Sequence, residues 1–133
     1  MEEAVKVDLV QGRFDDPAAE LVNVAGTGNA EAALLVRRPA GTSLVVNDII
    51  AHVTNPQGLG ARLMARLFGF GTNEPAIPRP IRQKLVRDPL VLAAQLDDWA
   101  GIASLRRIVP SHGEIMESHP SAVLRRLAIG LKH

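Results

Sequence analysis

Ala32-Ala33-Leu34-Leu35-Val36-Arg37-Arg38-Pro39-Ala40-Gly41-Thr42-Ser43-Leu44-Val45-Val46-Asn47-Asp48 is the stretch that decides how this chain folds. Ala32 to Arg37 reads as one strand, Arg38-Pro39-Ala40-Gly41 as a turn and Ser43 to Asn47 as the returning strand. Short aliphatic and β-branched runs bounded by Pro and Gly suit a sheet better than a helix. The second run stops on Asp48, and a buried run that ends on a polar residue sets that residue at a sheet rim, where α/β proteins tend to build their sites. Asp48 precedes Ile49-Ile50, so it reads as partly buried and needs a metal, a cation or backbone N–H donors to offset its desolvation. Two readings stand. Asp48 is a ligand, or Asn47 or Asp48 caps a helical turn that begins at Ile49.

A second run has the same form. Leu105 to Val109 reads as a strand, and Pro110-Ser111-His112-Gly113 follows it. His112 is a metal ligand or a loop residue on this pattern alone. Asp and His are two of the residue types that hold a hard or borderline metal. His52 would share a helical face with Asp48, four residues away, while His119 and His133 read as surface residues.

Outward from the hairpin, Ala4 to Val10 alternates Val5, Val7 and Leu9 with Lys6 and Asp8, a further strand. Glu20 to Ala25 is the strand before Ala32, closed by a Gly26-Thr27-Gly28-Asn29 hairpin turn. These spacings predict a meander of antiparallel neighbours. The later half reads as helices. Gly58 to Phe68 spaces Leu59, Leu63 and Leu67 by four, and Pro80 to Val86 forms a short helix after a Gly/Pro-rich stretch from Gly69. Asp88-Pro89 opens a helix through Leu92, Leu96 and Trp99 to Gly101. Ser118 or Ser121 opens a last one with Val123, Leu124, Leu127 and Leu131 apolar. One α+β (α/β) domain over 1–133 follows, with about five mainly antiparallel strands.

Composition narrows the function. The chain is 47% hydrophobic and 22% charged, so it builds a core, and with four aromatic residues that core is aliphatic. Zero cysteines exclude disulfides, thiolate zinc sites and cysteine nucleophiles. No apolar run reaches the roughly 18 residues of a membrane span, and Met1-Glu2-Glu3 lacks the basic start of a signal peptide; a cytoplasmic location is expected. Residues 1–60 hold four basic and eight acidic side chains and residues 61–133 eleven and six, with arginine dominant in the second part. That asymmetry suits an anionic partner or a solvated helix face, but no aromatics interleave for stacking on single-stranded nucleic acid.

Familiar catalytic motifs are missing. Glu31 stands where a dinucleotide fingerprint beginning at Gly26 would place its third glycine, and no helix pattern follows. There is no phosphate loop of the Walker type and no Gly-x-Ser-x-Gly elbow, and the adjacent Ser111 and His112 would point apart on a strand.

Taken together, these segments resemble the C-terminal half of the metallo-β-lactamase-fold superfamily. The likeness is to its uncharacterised hydrolase-like branch rather than to the antibiotic-degrading enzymes, and it covers most of the chain. Glu20 to Gly26 is similar to the strand entering the family's Gly-containing turn, and Ala32 to Arg37 to the next strand. Ser43 to Asp48 is similar to the strand that ends in the bridging aspartate. Asp97-Asp98-Trp99 followed by Leu105 to Gly113 resembles the helix and strand that deliver the last histidine ligand. The resemblance implies half of an αββα sandwich with helices on one face, and Asp48 and His112 as ligands of zinc or another divalent metal.

The departures from the family limit what the resemblance implies. Its His-x-His-x-Asp-His motif has no counterpart here, and Gly26-Thr27-Gly28-Asn29 offers no imidazole. Two ligands do not close a binuclear site, and a catalytic zinc takes about three protein ligands. The expectation is therefore a hydrolase-like protein with an incomplete metal site, weakly active or inactive as a lone chain. Its missing half comes from a second copy, in a homodimer, or from a complementary N-terminal half covering the open sheet face. A non-catalytic scaffold or dimerising interaction module is the alternative reading, and an anion or nucleic-acid binder the third.

Overall fold

The computed structural model describes residues 12–13, 17–51, 75–111 and 113–133. The expected strand at 4–10, the expected helix at 58–68, His52 and His112 lie outside them. The elements run β1 (Gly12–Arg13), β2 (Ala19–Asn23), β3 (Ala32–Arg38), β4 (Gly41–Val46), α1 (Arg79–Leu85), α2 (Pro89–Ala100), β5 (Leu105–Pro110) and α3 (Pro120–Leu131). The architecture is α+β, with a mixed sheet in the order β1-β2-β3-β4-β5.

Strands β2, β3 and β4 form the antiparallel meander expected from their turns. The β2–β3 turn needs left-handed backbone at Gly26 (φ 78°) and Gly28 (φ 62°), which glycine adopts without a Cβ clash. Asn29 takes the same region at φ 65°. In β3 the side chains of Ala33 and Leu35 are buried while Ala32, Leu34 and Val36 are half-buried; β4 buries Thr42, Leu44 and Val46. The period of two thus gives the sheet one core face and one partly covered face.

Strand β5 pairs with β4 in parallel. Parallel neighbours need a crossover of a dozen or more residues, and α1 and α2 lie within it. The ladder shifts register between Thr42 and Ser43, so Arg106 is the extra residue of a bulge. It lies against Gly41 (φ 138°), where a Cβ would collide with its stem.

Helix α2 begins as its sequence predicts. The Asp88 side chain accepts the N–H of Val91 at 3.2 Å, Pro89 fills the first turn, and Gly101 closes the helix. Its buried stripe of Leu92, Leu96 and Trp99 meets the Leu124, Ala128 and Leu131 stripe of α3. Together with Leu44, Val46, Ile49, Ile50 and Ile108 these residues make an aliphatic core, and Trp99 is the one aromatic among the described residues.

Two expectations are corrected. Neither Ser118 nor Ser121 caps α3: the cap position is His119 in the left-handed region (φ 55°), with no side-chain cap bond, and Pro120 opens the helix. A residue before proline is pushed out of the right-handed helical region, which sets that boundary. Nor does a helix start at Ile49. Residues 47–49 form bends, and Ala51 exchanges backbone hydrogen bonds of 2.8 and 2.9 Å with Ala76. Asp48 is therefore not a helix cap.

Candidate carboxylate site at the sheet rim

The β3–β4 register fixes what faces Asp48. Leu35 pairs with Leu44 and Leu34 with Val45. The paired ladder stops at Leu34 and Val45, and beyond it Glu31 lies just before β3 and Asp48 in the bend just after β4. Glu31 keeps the parity of the buried Ala33 and Leu35 on β3, and Asp48 follows the buried Val46 by two residues, so both lie at the same end of the sheet.

Glu31 is buried, at 6% exposure, and Asp48 half-buried. The Glu31 carboxylate accepts the backbone N–H of Asp48, whereas its Oε2, also buried, has no hydrogen-bond partner among the described residues. The Glu31 main chain is tied back to β2, its carbonyl accepting the Val24 N–H at 2.9 Å. Burial raises the Glu31 pKa above the ordinary carboxylate range; the Asp48 charge raises it further, and the Asp48 N–H opposes both. A carboxyl group in this position takes a proton, or as a carboxylate is stabilised by a donor or a cation, because burying the charge unpaired is costly.

The adjoining rim belongs to β4 and β5. Ser111 N–H donates to the Val46 carbonyl at 3.1 Å, and Ser111 Oγ donates to Asn47 Oδ1 at 2.7 Å. These two bonds tie the carboxyl ends of the two parallel strands together beside Asp48. His112 is the next residue in the chain.

The Gly26–Asn29 turn supplies no charged ligand. Thr27 is fully buried, and its hydroxyl donates to the Val24 carbonyl at 2.7 Å. Asp97 pairs with Lys132 at 3.2 Å across α2 and α3. Among the described residues no three His, Asp or Glu side chains gather in a metal-binding group; the described rim offers two carboxylates.

Several arginines hold backbone. Arg106 Nε donates to the Ala40 carbonyl at 2.8 Å, and Arg126 Nη2 to the Pro75 carbonyl at 2.6 Å beside a groove lined by Ala76, Ile77 and Leu127. Arg107 lies 3.8 Å from Glu117.

Sequence reasoning singles out Asp48 and passes over Glu31, which enters only as a residue that spoils a glycine motif. The signal was the short Pro39-Ala40 turn: counting outward equally from it pairs 35 with 44 and brings 31 and 48 to the same end of the sheet. The fold defined on these grounds is an α+β unit with a carboxylate pair at the rim of a mixed sheet. No family model and no curated protein matches the sequence, and among the described residues no helix is long and apolar enough to cross a membrane.

Proposed function

We propose that this chain is the metal-holding unit of a metallohydrolase-like protein of the metallo-β-lactamase type, half of an αββα sandwich, with Asp48 and His112 as ligands. The observation that carries the reading is the orphaned, buried Glu31 Oε2 beside Asp48. An unpartnered carboxylate oxygen next to a second carboxylate fits a cation. Further support comes from the placement of Asp48 just past β4, whose parallel partner β5 leads through Ser111 to His112. His112 is assigned by its place in the sequence and by the resemblance.

A divalent metal such as zinc, bound there, would supply Lewis-acid polarisation of an ester, amide or phosphoester. The chain's own residues hold the rim in place: the Ser111–Asn47 bond fixes the ends of β4 and β5, and the Glu31–Asp48 contact fixes β3 against β4. Two family ligands do not complete a catalytic centre. On this reading the rest come from a second copy in a homodimer or from a complementary half, and the partly covered sheet face of Leu34, Val36, Val45 and Val109 is where it would pack.

Metal analysis of the purified protein tests the reading. About one zinc, iron or manganese ion per chain, lost in Asp48→Ala and in His112→Ala, is the expected result. Equal metal content in wild type and both variants would overturn it.

A further inference from the structure

The residue that the metallohydrolase resemblance does not assign is Glu31. The residue is more than nine-tenths buried, its carboxylate accepts the Asp48 N–H, and its buried Oε2 has no partner among the described residues. A proton would neutralise the group, with the neighbouring Asp48 carboxylate as its acceptor, but an ionised Oε2 has no donor among the described residues. An ionised Glu31 calls for a second donor, and Oε2 has none among the described residues. A cation shared by the two carboxylates answers both needs, since it pairs with Oε2 and offsets the repulsion between Glu31 and Asp48.

The geometry points to Glu31 as a cation ligand acting with Asp48, in a rim site that takes a hard divalent ion, Mn²⁺ or Mg²⁺, through carboxylate oxygens. The inference rests on the reading of Asp48 as a ligand and extends it. Carboxylate oxygens suit Mg²⁺, Ca²⁺ and Mn²⁺, in contrast to the thiolate and imidazole sets of most structural zinc sites. The turn next to Glu31 contributes no softer donor, because Thr27 is buried with its hydroxyl bonded to the Val24 carbonyl. Glu31 thus provides, from the start of β3, a ligand where Gly26-Thr27-Gly28-Asn29 provides none.

The experiment is Mn²⁺ binding to the metal-free full chain, followed by electron paramagnetic resonance, for wild type, Glu31→Gln and Asp48→Asn. Glutamine keeps the shape and an acceptor oxygen but removes the charge. The expected result is Mn²⁺ affinity weaker by about tenfold or more in each variant, with apo Glu31→Gln unfolding at or above the wild-type temperature. Wild-type affinity in Glu31→Gln, with loss confined to Asp48→Asn, overturns the Glu31 assignment and leaves Asp48 standing. Unchanged binding in both variants, or no binding by wild type, overturns both. A measurement on wild type alone guards against a variant that fails to fold: substoichiometric Mn²⁺ should broaden the amide resonances of Glu31 and Asp48 before those of Asp97 and Glu117, and uniform broadening would contradict the proposal.

Discussion

The backbone N–H of Asp48 points at the carboxylate of Glu31, so that one acidic residue holds another at the end of the buried face of the sheet. The β3–β4 pairing brings the start of β3 and the end of β4 to the same rim, so the two residues meet although sixteen others separate them in the chain. Backbone pairing, rather than charge, puts the carboxylates together. Their repulsion is the electrostatic cost of that pairing, and with burial it raises the Glu31 pKa.

Stability of the metal-free protein should depend on pH through Glu31. Its folded pKa is raised above the ordinary value of 4.5, chiefly by burial. In the window that opens near 4.5 and closes above the folded value, the native state holds more protons than the unfolded chain, so stability falls as pH rises. Below that window the contribution is fully present. Glu31→Gln should flatten this dependence, as read by urea denaturation across the acidic range; an unchanged slope would count against it.

Gly26 should tolerate no side chain. A Cβ there would meet the Asp88 carbonyl oxygen and crowd the Leu92 nitrogen at the start of α2, and φ is 78°. The Gly26 carbonyl also accepts the N–H groups of Arg87 and Asp88, so the turn and the helix start are one unit. Gly26→Ala is expected to destabilise by about 1–3 kcal/mol, seen as a lower thermal midpoint.

Asp88→Ala removes the cap of α2, with an expected loss of about 1 kcal/mol. Asp88→Asn should recover most of it, because the amide oxygen also accepts the Val91 N–H. Equal losses in the two variants would point to a charge effect instead.

Ser111 and Asn47 should couple. A double-mutant cycle with Ser111→Ala and Asn47→Ala is expected to show about 0.5–1 kcal/mol of interaction, the range for an exposed hydrogen bond. Additive losses would show that the 2.7 Å contact contributes nothing to joining β4 and β5.

The hairpin was legible because Ala32 to Asn47 carries a period of two on both sides of a Pro-containing turn. The α2 start was legible because Asp88-Pro89 states its own boundary. The parallel pairing of β5 with β4 was not, since it joins Leu44 to Ile108 across a crossover whose path no local pattern encodes. The α3 boundary is not legible locally, because Pro120 acts through His119, whereas Ser118 and Ser121 carry the usual capping side chains. Asp48 stood out as a charge inside an apolar run. Glu31 did not, because its burial comes from a register that appears only when two strands are paired.

On the proposed reading, Asp48 holds a divalent metal at this rim. Calorimetric titration of Zn²⁺ and Mn²⁺ into metal-free wild type and Asp48→Asn tests it most directly. The account predicts saturable binding near one ion per chain in wild type, weaker by about tenfold or more in the variant. Superimposable isotherms, or no binding heat in wild type, would contradict it.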